Sequence, residues 1–80
     1  MAVLRLFASV REAAGLKRDQ VPGATVGEVV QAAVERYGPS FAELLPTCRV
    51  WVNGEPAESH HAVGPNDEVA ILPPVSGGSV

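Results

Sequence analysis

Hydrophobic and polar positions alternate near the start of the chain. In residues 3–10, VLRLFASV, every second residue from Leu4 to Ala8 belongs to one apolar face. This period of two predicts a strand with one buried face. The REAAG segment at 11–15 is expected to end the strand. Residues 16–21, LKRDQV, are expected to pair back as a more polar edge strand.

A helical period follows the Pro22-Gly23 break. Thr25 and Glu28 have the spacing of a capping box, in which each side chain satisfies a backbone N–H of the first turn. Gly38-Pro39 then supplies a stop signal. The pattern predicts a helix over 25–37 whose buried face carries Val26, Val29, Val30, Ala33, Val34 and Tyr37.

Shorter elements are predicted in the second half of the chain. Asn53-Gly54 is a strong signal for a two-residue hairpin turn, and Pro56 confines the strand that follows it to a sheet edge. The remaining predicted elements are a short helical turn over 40–47, a strand over 48–52, a short edge strand over 55–58 and a final apolar strand over 67–72.

This element order predicts an α+β fold. The single long helix must cover one face of a mixed sheet, and the first and last strands are apolar enough to lie side by side in its middle. The expected architecture is a β-grasp, or ubiquitin-like, mixed sheet packed on one main helix. We assign residues 1–74 to this domain and residues 75–80 to a flexible tail containing two glycines.

Composition and charge narrow the function. The chain has 80 residues, 46% of them hydrophobic, and a net charge of −3. The acidic balance argues against nucleic acid and anionic membranes as partners. A single cysteine indicates a reducing, cytoplasmic setting. So small a domain has little interior for a deep pocket, which favours a carrier, subunit or binding module over a free-standing enzyme.

The residue types used in catalysis form no evident site. His60 and His61 are adjacent, lack further ligands and are expected in a solvated loop, so no metal site is predicted. Cys48 has no neighbouring histidine in the sequence to activate it and is expected to be structural. We therefore predict no active site and no bound cofactor in this chain.

The segment VSGGSV at 75–80 has two interpretations. Gly77 and Gly78 follow the rigid Pro73-Pro74 pair, and a strip without side chains can enter a narrow channel where any Cβ would collide. Alternatively, the segment is a frayed end that happens to contain glycine. Composition alone does not decide between them.

Several motifs together resemble the MoaD/ThiS family of ubiquitin-like sulfur carriers. The likeness extends over nearly the whole chain and is greatest to the MoaD branch, the small subunits of molybdopterin synthase. The segments that carry it are Leu6-Phe7-Ala8, Arg11-Glu12, Gly15, Thr25-Val26, Val52-Asn53-Gly54, Asp67-Glu68-Val69 and the run from Leu72 to Gly78.

The resemblance implies a carrier whose catalytic groups belong to its partners. An E1-like adenylating enzyme of the MoeB type would use ATP to activate the Gly78 carboxylate, and a sulfur donor would convert it to a thiocarboxylate. The tail would then enter a MoaE-like large subunit and give its sulfur to a pterin precursor.

The resemblance also assigns roles in partner binding. Gly77 would provide clearance for the tail, and the prolines would stiffen its base. Phe7 is expected either in the docking surface or in the core. The residues expected to contact partners are Phe7, Pro73, Pro74, Val75, Ser76 and Gly77.

The sequence departs from the family pattern after the second glycine. Ser79 and Val80 follow Gly78, so its carbonyl is held in an amide. Three explanations are open: removal of these residues by a JAMM-type metallopeptidase, an end without function, or self-cleavage by the Ser79 hydroxyl. Because of this departure, two other functions are also considered. One is a sulfur carrier for amino acid, thiamin or natural-product synthesis, and the other is a ubiquitin-like binding or conjugation module.

Overall fold

A computed structural model of the chain describes residues 1–74. The predicted flexible tail at 75–80 lies outside the described residues. In chain order the elements are β1 (Ala2–Leu6), α1 (Ala8–Ala14), β2 (Arg18–Val21), α2 (Val26–Tyr37), α3 (Pro39–Leu44), a 3-10 turn (Leu45–Thr47), β3 (Arg49–Val52), β4 (Glu55–Pro56) and β5 (Glu68–Leu72).

The five strands form one mixed sheet in the order β2-β1-β5-β3-β4. β1 and β5 are parallel, with Leu4 opposite Val69 and Leu6 opposite Ile71. β2 pairs antiparallel with β1, and β3 pairs antiparallel with β5. The first and last strands therefore lie together inside the sheet, as predicted, and the α+β β-grasp architecture is confirmed.

The core lies between this sheet and the helices. Its members are apolar, and no polar or charged residue of the described chain is buried with them. Burial of such side chains is the main favourable term in folding. The buried residues are Ala2, Leu4, Leu6, Val10, Val21, Val26, Val29, Ala33, Phe41, Val52, Val69 and Ile71.

The main helix α2 begins as its capping signal predicts. The Glu28 backbone N–H donates to the Thr25 hydroxyl oxygen at 3.2 Å. The Glu28 carboxylate in turn accepts from the Ala24 N–H at 2.8 Å, one residue before the usual partner in a capping box. The apolar face that the sequence predicts for this helix packs into the core.

The prediction of a strand over 3–10 is wrong beyond Leu6. Ala8 has a φ of +51°, a left-handed conformation that turns the chain sharply out of β1. The next residues form α1, and its Val10 is fully buried. The REAAG segment therefore continues a helix instead of ending a strand, and Gly15 caps that helix with a φ of +82°.

The Gly38-Pro39 pair ends α2 and starts α3. Gly38 has a φ of +94°, and its N–H donates to the Val34 carbonyl at 2.9 Å. Pro39 is the first residue of α3, where a missing N–H costs nothing. Phe41 then lies fully buried, with its ring edge-on to Tyr37 at a centroid distance of 5.1 Å. The predicted helical turn over 40–47 is thus confirmed as α3 and the 3-10 turn.

The predicted hairpin is present after β3. Asn53 and Gly54 both have positive φ, +51° and +86°, as a two-residue turn of this kind requires. The return strand β4 contains only Glu55 and Pro56, so it is shorter than the predicted 55–58. The Asn53 side chain also donates to Asp67 and accepts from the Glu68 N–H, both at 2.9 Å, which holds the turn against the start of β5.

A polar clamp ties the edge strand β2 to the end of α2. The Tyr37 hydroxyl donates to the Asp19 carboxylate at 2.6 Å, and the Arg36 guanidinium donates to the same oxygen at 2.8 Å. Arg36 also donates to the Gln20 carbonyl at 2.9 Å. The hydrogen bonds from Tyr37 and Arg36 hold the pKa of Asp19 below its usual value of 3.8.

The clamp predicts a pH-dependent part of the stability. Because folding lowers the pKa of Asp19, its contribution is complete above the unfolded pKa of 3.8 and disappears as pH falls through the folded value. Asp19→Asn should lower the free energy of unfolding by about 1 kcal/mol at neutral pH, a figure reduced for the partial exposure of the pair. Urea denaturation should show this difference shrinking as the pH falls below 3.8.

Glu35→Gln is the matched control because it also removes one carboxylate, at an exposed position of α2 that takes no part in the clamp. An Asp19→Asn effect equal to that of Glu35→Gln, or one that does not change with pH, would contradict a role for the clamp.

Candidate functional site

The last strand ends at the point from which the glycine-containing segment departs. Leu72 pairs with Arg49 of β3. Pro73 and Pro74 follow, the first partly buried and the second exposed. Proline has no N–H to donate to a neighbouring strand, so the predicted end of the strand is confirmed. The roles of Pro73 and Pro74 as partner contacts stay predictions.

The other residues predicted for this site are Val75, Ser76, Gly77, Gly78 and Ser79, and all of them lie outside the described residues. Their roles as tail base, clearance, sulfur attachment and processing site stay predictions.

The two faces of the sheet differ in character near this exit. The alternate residues of β1 and β5 that face the helices are fully buried in the core. The opposite face, here called the outer face, carries side chains that are only partly buried and do not belong to the core cluster. Its apolar members are Val3, Phe7, Trp51, Ala70 and Leu72. Of these five residues, only Phe7 was predicted from the sequence as a candidate for partner binding.

Phe7 belongs to the outer face and not to the core. It is half-buried and absent from the buried cluster, and the Arg5 guanidinium carbon lies 5.3 Å from the centroid of its ring. This geometry is that of a cation–π contact. The left-handed turn at Ala8 directly follows Phe7, so it sets where the chain leaves the sheet. Of the two expected placements, the structure supports the surface one.

Parallel pairing brings Phe7 to the same end of the sheet as Pro73. Leu6 lies opposite Ile71, so the carboxyl ends of β1 and β5 coincide. The residues that follow both strands thus emerge at one edge. Phe7 and the Pro73-Pro74 pair are therefore close in the fold, although 66 positions separate Phe7 from Pro73 in the sequence.

The N-terminus of α2 is occupied by the chain itself. The Val26 N–H donates to the His61 carbonyl at 2.9 Å, and the Gly27 N–H donates to the Ser59 carbonyl at 2.8 Å. A Cβ on Gly27 would lie 3.2 Å from that Ser59 oxygen, so glycine allows the close approach. Helix N-termini commonly bind anions through free N–H groups, but here these donors are already used.

The predicted structural role of Cys48 agrees with its surroundings. Its Sγ donates to the Leu44 carbonyl at 3.1 Å, and burial raises the pKa of the thiol. A raised pKa disfavours the thiolate that nucleophilic chemistry needs.

The His60 side chain is highly exposed, and its Nδ1 lies 3.7 Å from the Glu58 carboxylate. No group of three potential metal ligands occurs within residues 1–74.

Comparison with known proteins shows the family. The pattern of the ThiS family matches residues 4–78. The chain belongs to the ThiS family. Small archaeal modifier protein 1 from Haloferax volcanii is 39% identical over 84 aligned positions, which include 92% of this chain and 97% of the relative. Its ThiS family membership makes this chain a ubiquitin-like protein of the sulfur-carrier and modifier type.

Solved structures agree with the fold. The crystal structure of the H. volcanii relative superposes with a TM-score of 0.80 at 35% identity, covering 96% of this chain and 98% of the other. The Amycolatopsis orientalis BexX/CysO complex contains a chain with a TM-score of 0.82 at 26% identity, with coverage of 98% and 100%. A putative molybdopterin converting factor, subunit 1, from Pyrococcus furiosus gives 0.80 at 24% identity, with coverage of 92% and 97%.

These comparisons support part of the functional prediction. The relatives are small modifier or carrier proteins, and one of them is known in a complex with another protein. Within residues 1–74, no helix combines the length and apolar character needed to cross a bilayer.

Replacing Phe7 and Phe41 should separate a surface aromatic residue from a core one. Phe41→Ala empties a fully buried position and should lower the free energy of unfolding by about 3–5 kcal/mol. Phe7→Ala should cost at most about 1 kcal/mol, since it removes a half-buried ring and a cation–π contact. Urea denaturation of both variants measures the difference. Equal losses would place Phe7 in the core and contradict its assignment to the outer face.

Proposed function

We propose that this chain is a sulfur carrier that is activated at Gly78. The supporting observation is that the family match continues beyond the folded domain and ends at the second glycine of the Gly77-Gly78 pair. A family pattern that includes both glycines supports a function for them, whereas a frayed chain end would not require any particular sequence.

The chemistry follows from the properties of a carboxylate, which is a poor electrophile. In the activating partner, a Gly78 carboxylate oxygen attacks the α-phosphorus of ATP and pyrophosphate leaves. Hydrosulfide supplied by the sulfur donor then attacks the acyl carbon, displaces AMP and loses its proton, which leaves a thiocarboxylate. The chain supplies the carboxylate and the docking surface, and the partner supplies the catalytic groups.

Activation requires a free carboxylate at Gly78, but Ser79 follows it in the sequence. We assign removal of the Ser79-Val80 dipeptide to a separate metallopeptidase of the JAMM type. Self-cleavage is less favoured because attack by the Ser79 hydroxyl needs a base and a strained peptide bond.

Molybdopterin synthesis is the proposed client pathway. In this role the chain would be the small subunit of molybdopterin synthase, with a MoeB-type activating enzyme and a MoaE-like large subunit as partners. The ending PPVSGG and the shared fold with the P. furiosus converting factor favour it. Carriers for amino acid, thiamin or natural-product synthesis would use the same Gly78 chemistry with a different acceptor.

A second candidate function is covalent modification of other proteins. It is favoured by the 39% identity to small archaeal modifier protein 1. In this case the activated Gly78 carbonyl would be attacked by a lysine amine of a target, giving an isopeptide bond in place of a thiocarboxylate.

The intact mass of the protein isolated from its own cells tests the carrier function. We expect loss of the Ser79 and Val80 masses compared with the full chain. A further gain of about 16 Da is expected when sulfur replaces one oxygen. A mass equal to that of the full chain, in cells where the pathway is active, would contradict both processing and the carrier role.

Variants at the tail test sulfur transfer and distinguish it from simple docking, which needs no free Gly78 carboxylate. In a reconstituted transfer assay, the chain that ends at Gly78 should deliver sulfur, and the chain that retains Ser79-Val80 should deliver far less. Gly78→Ala should abolish transfer because a Cβ obstructs a channel shaped for glycine, while its fold and stability stay those of the parent.

The modifier function predicts a different product. Target proteins would carry Gly78 in an isopeptide bond, detectable by mass spectrometry of tryptic fragments. Lys17 is the single lysine of the chain, so Lys17→Arg tests whether copies of this protein modify one another. Isopeptide products without any thiocarboxylate would overturn the carrier proposal in favour of the modifier.

A further inference from the structure

A shallow cleft at the carboxyl end of β1 gathers most of the cationic side chains of the protein. Its volume is about 260 Å³. Four of the six lysine and arginine residues of the chain line it. We call it the basic cleft and define it by Arg5, Phe7, Arg11, Lys17 and Arg18.

Backbone pairing between β1 and β2 builds this cleft. Arg5 lies directly opposite Arg18 in the antiparallel ladder. The Leu6 N–H donates to the Lys17 carbonyl at 3.0 Å, which fixes the two strands at that point. Arg11 reaches the cleft from α1, whose direction is set by the left-handed turn at Ala8.

The charge of the cleft is unexpected in an acidic protein. Like charges directly opposite each other on neighbouring strands are destabilising. Arg5 has a carboxylate nearby, that of Glu68 at 3.6 Å. No carboxylate of residues 1–74 lies within 4.0 Å of the charged groups of Arg11, Lys17 or Arg18. Folding alone does not account for this concentration of charge, which a negatively charged ligand would offset.

The geometry favours an acidic protein segment over a small anion. The cationic side chains are exposed to solvent, and each exposed ion pair contributes only about 0–1 kcal/mol. A single small ion would therefore be held weakly. A segment with several carboxylates can contact several cations at once, and the Phe7 ring supplies an apolar wall beside them. Complementary charge of this kind mainly sets orientation and the rate of association.

We infer that the basic cleft docks a segment with two or more carboxylates on the enzyme that activates Gly78. This inference rests on the proposed function. Leu6 is paired with Ile71, so β1 and β5 end at the same level of the sheet. The cleft therefore lies close to the carboxyl end of β5. A partner bound there is placed beside Pro73, where the chain continues towards Gly78.

A binding experiment tests the cleft without any enzyme. The full-length, 15N-labelled chain is titrated with a tetraglutamate peptide at low salt, and separately with ATP and a tetralysine peptide. Tetraglutamate should shift the backbone amide signals of Phe7, Lys17 and Arg18, and tetralysine should not. Absence of these shifts, or stronger binding of ATP than of tetraglutamate, would overturn the inference in favour of a surface without this role or of a phosphate site.

Two double variants provide a matched comparison. Lys17→Gln with Arg18→Gln removes two positive charges from the cleft. Gln31→Glu with Ser40→Glu lowers the net charge by the same amount at exposed positions on the helices. The first variant should lose the peptide-induced shifts and the second should keep them. Loss of the peptide-induced shifts in both variants would show that the peptide responds only to the net charge of the protein, which would overturn the inference.

Activation kinetics test the partner. With the chain ending at Gly78 and the E1-like enzyme of the same organism, Lys17→Gln with Arg18→Gln should raise KM about tenfold and leave kcat unchanged. Salt should raise KM for the parent chain and have less effect on that variant. The Gln31→Glu, Ser40→Glu control should behave like the parent.

The failure of each proposal is distinguishable. If the parent chain is not adenylated at all, the proposed function fails while the peptide titration still reports on the cleft. If the parent and the Lys17→Gln, Arg18→Gln variant are adenylated with equal KM, the docking inference fails and the carrier function stands.

Discussion

The parallel pairing of β1 with β5 is the contact on which the rest of the structure depends. It joins the two ends of the domain, places two apolar strands in the middle of the sheet and leaves the polar strands at the edges. Such pairing over a long sequence separation carries a large loop-closure cost, which the core beneath the sheet must offset. Because parallel strands end at the same edge, the pairing also brings Phe7, the basic cleft and the start of the tail together.

The two faces of the sheet differ in role: the inner face forms the core, and the outer face is exposed to solvent. The inner face is covered by α1, α2 and α3 and contains only apolar buried residues. The outer face keeps partly buried aromatic and aliphatic side chains beside exposed arginines.

The sequence predicted much of this fold, and it succeeded where the signals are local. The α2 helix and the Asn53-Gly54 turn carry strong short-range signals, and both were correct. The α1 helix was missed because the residues after Leu6 continue an alternating pattern, and the left-handed turn at Ala8 has no glycine to mark it. The Asp19–Tyr37–Arg36 clamp and the basic cleft depend on strand register, which single-sequence patterns do not report. The roles given to the tail residues come from the family resemblance and stay predictions.

The orientation of β1 and β5 also has a mechanical consequence. The two strands run side by side in the same direction, so the N-terminus lies at one end of the pair and Pro73 at the other. A force that pulls these ends apart loads the hydrogen bonds of the pair in shear, so that they must break together instead of one after another. The pairing therefore resists forces that act in opposite directions on Ala2 and Leu72.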